Sequence, residues 1–136
     1  MIQTRSQQQM KLALELVQCV ENQSESVRTI YGGLCHNFPI LVRTCGLCQA
    51  VAFSVDRAGA LGSESKDDSD RATAHKVHLE HVAKVLGIPK DELLERLIEA
   101  PVDEYIRYTR DTLSAWVYFK RFARSILKVE PGGDNL

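Results

Sequence analysis

Apolar residues recur at helical spacing along nearly the whole chain, and the longest such stretch runs from Pro101 to Lys128. At 100° per residue, Tyr105, Tyr108, Thr109, Thr112, Trp116, Phe119, Ala123, Ile126 and Leu127 fall on one broad arc, with Leu113 at its edge. Arg107, Arg110, Asp111, Ser114, Tyr118, Arg121, Ser125 and Lys128 form a narrower polar arc. A helix apolar over more than half its circumference must be covered by neighbouring elements on several sides. Pro101 suits the first helical position, Asp103 and Glu104 suit the first turn, and Arg124 and Lys128 suit the last. Pro131-Gly132-Gly133 then ends the helix. This stretch is predicted to be the central helix of a small bundle.

The remaining stretches are shorter. Thr4 caps a first helix to about Asn22, and Ser24 or Ser26 caps a second from about Ser26 to His36. Gly32-Gly33 inside the second helix implies close approach of another backbone. Asn37-Phe38-Pro39 is expected to break it, because a residue preceding proline avoids helical angles, with a short turn from Pro39 to Arg43 leading to Gly46. A third helix spans Leu47 to about Arg57, and the glycine-, serine- and acid-rich stretch at 59–70 is expected to be a mobile surface loop. Ser69 or Asp70 caps a fourth helix ending at Leu86 before Gly87, and a short fifth runs from Ile88 to about Glu99. No stretch alternates with period two. The expected architecture is all-α: one domain over 1–136, about six helices, and a disordered tail at about 130–136.

Composition adds bounds to this picture. At 136 residues and 44% apolar content the chain is long enough for one real core. No run approaches a membrane span and the opening residues lack a secretory apolar region, so a cytoplasmic location is expected. The formal net charge is −1, which by itself announces no polyanion partner. The distribution is uneven: from Gly59 to Glu104 there are six basic and eleven acidic residues, and from Tyr105 to Lys128 six basic and one acidic. A solvated helical surface explains such a split as readily as a binding face does.

The chemistry-bearing residues narrow the function classes. Cys45 and Cys48 form a CxxC with Cys35-His36 upstream, but a zinc site needs four converging ligands and a thioredoxin-like site needs a βαβ setting. Small free thiols at a helix start are the simpler reading. His75, His78 and His81 recur every third residue without the HExxH pattern, so a mixture of surface and core histidines is expected, with no metal. Gly59-Ala60-Leu61-Gly62 is followed by acids and is no phosphate-cradling loop. With no nucleophile–base pairing legible either, no enzyme and no cofactor are expected. Basic residues remain. Arg110, Arg121 and Lys128 lie along one line of the last helix with Arg124 beside it, and Lys120 reaches the edge of the apolar arc, where it must snorkel or meet a partner. Arg43 and Arg57 flank the third helix. Cations in a line suit a phosphate backbone, contacted without base readout.

Two of these stretches together resemble a known family. Arg43-Thr44-Cys45-Gly46-Leu47-Cys48-Gln49-Ala50-Val51-Ala52-Phe53 is similar to the Thr-Asn-Gly-Leu-Gly-Gln-Ala-Leu-Ala-Phe signature of the small subunit of type III-B (Cmr) CRISPR effector complexes. Tyr105 or Tyr108, Thr109, Asp111, Trp116 and Phe119-Lys120-Arg121-Phe122-Ala123 resemble that family's C-terminal helix. Cys45 stands where the family prefers asparagine and Cys48 where it prefers glycine, so the cysteines look like local substitutions rather than metal ligands. The resemblance implies a non-catalytic helical subunit whose partners are other Cmr subunits, copies of itself, guide RNA and target RNA. It implies stacking along the guide–target duplex in antiviral defence, and no membrane. Arg43, Arg57, Lys120, Arg121 and Arg124 are the candidates for RNA-backbone or subunit contact. The competing reading is a helical protein–protein adaptor that binds no RNA.

Overall fold

The computed structural model describes residues 2–59 and 66–132, and among these there are six α-helices and no strand. They are α1 (Arg5–Val20), α2 (Glu25–Cys45), α3 (Leu47–Ala58), α4 (Lys66–Leu86), α5 (Leu93–Glu99) and α6 (Val102–Ser125), with a 3₁₀ turn at Lys90–Glu92 before α5. The all-α expectation holds.

Local chemistry fixes the helix starts. Thr4 and Gln7 form a reciprocal capping box, the Gln7 N–H donating to Thr4 Oγ1 (3.1 Å) and the Thr4 N–H to Gln7 Oε1 (2.8 Å). Ser24 caps α2 by accepting from the Val27 N–H at 3.3 Å. Gly46 joins α2 to α3 at φ +89°, a conformation that disfavours any side chain, and no side chain caps α3 there. Tyr105 from the first turn of α6 serves instead, its hydroxyl accepting from the Cys48 N–H at 3.0 Å. Gly87 ends α4 at φ +69°, as expected.

Four helices have boundaries that differ from expectation, the fifth among them: α5 begins at Leu93, behind the 3₁₀ turn at Lys90–Glu92, rather than at Ile88. The predicted break at Asn37-Phe38-Pro39 is absent: α2 runs through Pro39 to Cys45. An interior proline costs about 3 kcal/mol. Here Phe38 and Pro39 are both buried, with Phe38 packed on His78 and Trp116, and burial of one such ring returns roughly 1.5–3 kcal/mol. α4 begins at Lys66 rather than at a Ser69 or Asp70 cap, so the expected loop at 59–70 is partly helix; residues 60–65 of it lie outside the described residues. α6 closes at Ser125, and Pro101 is its N-cap rather than its first helical residue. Beyond it, Leu127 is buried, Lys128 turns the chain at φ +61°, and Val129 docks on α2. Of the expected tail, Glu130, Pro131 and Gly132 are ordered against α6, and residues 133–136 lie outside the described residues.

The long C-terminal helix α6 runs through the core, which it shares with α2 and α4. α6 packs on α1, α2 and α4, while α2 and α4 each touch three or more other helices. α6 runs antiparallel to α2, since Tyr105 meets the α2–α3 joint and Val129 reaches Gly32 and His36. Trp116 and Phe119 stack at 4.2 Å between ring centroids in the middle of this seam, both fully buried.

Candidate nucleic-acid interface

An open groove of about 710 Å³ lies between α2 and the C-terminal half of α6. Lys120 and Arg121 sit one turn before Arg124, so all three cations project along one side of α6. They line the groove with Ser125, and α2 contributes His36, Asn37 and Ile40. Ile40 and Val117 are 56% and 53% exposed, so the groove lining joins apolar side chains to the three cations. Lys120, expected at the edge of the apolar arc, is exposed and needs no snorkelling.

One end of the groove is closed by the segment after α6. Val129 is held on both sides of its peptide: its N–H donates to the Ala123 carbonyl (3.0 Å), and its carbonyl accepts from His36 Nε2 (2.8 Å). Its side chain lies against Gly32, where an added Cβ would stand 2.5 Å from Val129 Cβ. The glycine pair therefore admits a side chain rather than the expected backbone, and only at Gly32, since Gly33 has nothing within 4 Å. Glu130 turns back so that its carboxylate accepts from Arg124 Nε at 3.0 Å, and Pro131 and Gly132 complete the wall.

The five candidate cations are not brought together. Lys120, Arg121 and Arg124 share the groove. Arg43 is exposed one helical turn beyond Ile40 on α2, outside the groove lining but continuing its line. Arg57 is elsewhere, on the last turn of α3, its guanidinium 4.8 Å above the Phe53 ring. Sequence reasoning missed Ile40 and Val117. The available signal was the position of Val117 between Ser114 and Arg121 on the polar arc, where an aliphatic residue has no core to enter.

The three histidines of α4 depart from expectation: none is on the surface. His75 faces Ser54 Oγ at 3.2 Å, His78 is clasped edge-on by Phe38 and Trp116, and His81 Nδ1 lies 2.5 Å from the Tyr31 hydroxyl. Burial lowers all three, with Arg57 and Arg71 adding to the effect at His75 and Lys84 at His81; His75 and His81 fall to about 4, and His78 goes well below its ordinary value. Burial raises Tyr31 in turn, so the phenol is the donor and neutral His81 the acceptor. These rings serve as aromatic core. Burial also pushes the Cys35 thiol up to about 12, whereas Cys19 and Cys45 are exposed and Cys48 half-buried. Among the described residues no three histidine, cysteine or acidic side chains converge as a metal site would require. Nor is any helix among them long and apolar enough to cross a membrane.

Comparison with known proteins places this architecture. The profile of the family described as "CRISPR-associated protein (Cas_Cmr5)" matches residues 5–126, which takes in all six helices. The protein named "CRISPR system Cmr subunit Cmr5" from Thermus thermophilus is 36% identical over 129 residues, covering 93% of this chain and 99% of its own length. The crystal structure of a CRISPR-associated Cmr5 family protein from the same organism superposes with a TM-score of 0.72 at 34% identity, over 94% of this chain and all of that one. With the fold, the length and the helix order in agreement, the chain belongs to the Cmr5 family of CRISPR-associated Cmr subunits.

Proposed function

We propose that the chain is a non-catalytic structural subunit of a type III-B CRISPR ribonucleoprotein in the cytoplasm, stacking in copies along the guide–target duplex in antiviral defence and gripping RNA backbone through the α2–α6 groove. The observation that carries the RNA contact is the convergence of Lys120, Arg121 and Arg124 on one groove in a chain whose net charge is near zero. A subunit that serves any guide must recognise phosphate spacing and helix shape rather than base edges. Lysine and arginine along one helical line do that, and Arg43 extends the line on α2.

Stacking draws support from the opposite end of α6. Ile98 at the end of α5 and Val102 and Ile106, one turn apart on α6, are exposed at the α5–α6 junction, near Glu95, Glu99 and Asp103 in the sequence. Acids repel phosphate, so this face suits protein. A head-to-tail stack needs two unlike surfaces of this kind. Arg57, remote from the groove, is assigned to subunit contact.

The adaptor reading has one observation in its favour, the exposed Ile40 and Val117 within the groove. Reversing Lys120 and Arg121 to Glu separates the two. The assembled complex should lose target-RNA capture on the order of tenfold or more at low salt, with helicity intact, because two phosphate contacts become repulsions. Undiminished capture by a complex that still assembles would remove these residues from RNA contact and favour the adaptor instead.

A further inference from the structure

We infer that the segment from Leu127 to Gly132 is a built-in anionic competitor for the groove: Glu130 occupies Arg124 until an RNA phosphate displaces it. The inference rests on the groove being the RNA-contacting surface. Two features show that the segment is positioned rather than trailing. Lys128 adopts φ +61°, which a side-chain-bearing residue holds only when its surroundings impose it. The next residue, Val129, is seated on Gly32 and held through its N–H by Ala123 and through its carbonyl by buried His36. The residue after that anchor is Glu130, whose carboxylate therefore falls on Arg124 at 3.0 Å, beside Lys120 and Arg121 in the same groove.

The contact is built to yield. Arg124 and Glu130 are 64% and 67% exposed, and an ion pair so solvated is weak enough for a phosphate to replace. The anchor at Val129 is half-buried against the core and does not need to move for Glu130 to swing away. Neutralising Arg124 internally lowers attraction for stray polyanions, whereas an RNA backbone that also engages Lys120 and Arg121 recovers the third contact. Glu130 thus acts as a threshold, setting how many phosphates must be aligned before the groove holds them.

The test is a titration of a labelled RNA duplex with the full chain at several salt concentrations, comparing wild type, Glu130→Gln, Arg124→Gln and the double variant. Glu130→Gln keeps the shape of the side chain and removes its charge. It should tighten binding about two- to fivefold at low salt, the range an exposed ion pair spans. It should also steepen the dependence of affinity on salt, because one more phosphate contact is made without competition. On the Arg124→Gln background the same change should do nothing. Unchanged affinity and slope in Glu130→Gln, while Lys120→Glu/Arg121→Glu abolishes binding, would overturn the competitor and leave the RNA groove standing. A gain that survives Arg124→Gln would also overturn it, as bulk charge would then be the cause. Binding that ignores Lys120→Glu/Arg121→Glu, or no binding by wild type and Glu130→Gln alike, would reject the groove and the competitor with it.

Discussion

α2 and α6 show two faces that differ by a single step along the sequence. Trp116 is fully buried and Val117 is half exposed; Phe119 is buried and Lys120 exposed; Pro39 is buried and Ile40 exposed. On the inner face, Phe38, His78, Trp116 and Phe119 interlock as rings, and volume decides what is tolerated. On the outer face the same two helices hold an open groove lined by Lys120, Arg121 and Arg124 together with exposed Ile40 and Val117. The inner face makes the fold, and thereby sets the spacing at which the outer face presents Lys120, Arg121 and Arg124.

That contrast can be broken in graded steps. Trp116→Ala removes the middle of the inner face and should cost about 3–5 kcal/mol in denaturant unfolding, enough to leave little folded protein. Acid attacks the same face through α4. His75, His78 and His81 are held neutral in the folded chain below their ordinary value of 6.5, so the unfolded chain binds protons that the folded one does not. Their contribution to stability is complete above about pH 6.5; that of His75 and His81 is lost as pH falls towards 4, and that of His78 keeps falling further into acid, on the order of 1.4 kcal/mol per pH unit for each ring charged only in the unfolded chain. A thermal midpoint that stays flat from pH 7 to 4.5 would contradict this.

The glycine pair sharpens the comparison further, because neighbouring residues face different surroundings. Gly32→Ala collides with Val129 and should cost roughly 1–3 kcal/mol, while Gly33→Ala meets nothing and should gain about 0.5–1 kcal/mol from helix propensity. Equal effects would mean that Val129 does not dock on α2 in solution. The smallest change in stability belongs to the outer face: Lys120→Glu with Arg121→Glu should shift unfolding by less than about 0.5 kcal/mol while reducing RNA capture.

Local signals were legible and long-range ones were not. Thr4, Ser24 and Gly87 each act within a few residues of chain, and each does what its position suggests. The arc of α6 was readable because Tyr108, Thr112, Trp116, Phe119 and Ala123 repeat at a period that only a helix satisfies. Pro39 misled because its local preference is outweighed by Phe38 reaching His78, a partner 40 residues away in sequence. The histidines misled for a related reason. Imidazole is polar in isolation, and only the rings supplied by α2, α3 and α6 make it a core residue. Of the candidate site, Lys120, Arg121 and Arg124 could be grouped from helical spacing alone, whereas the separation of Arg57 depends on how α3 packs on α4.

The burial of Cys35 gives the molecule an internal clock. Its thiol is fully enclosed and held far from the thiolate form that reacts with disulfide reagents, while Cys19 and Cys45 are open to them. A thiol-labelling time course on the unmodified chain therefore separates into an early phase from the surface sulfurs and a late one from Cys35. The late phase runs at the rate at which α2 parts from its neighbours, so the native sequence reports its own breathing without a single engineered probe.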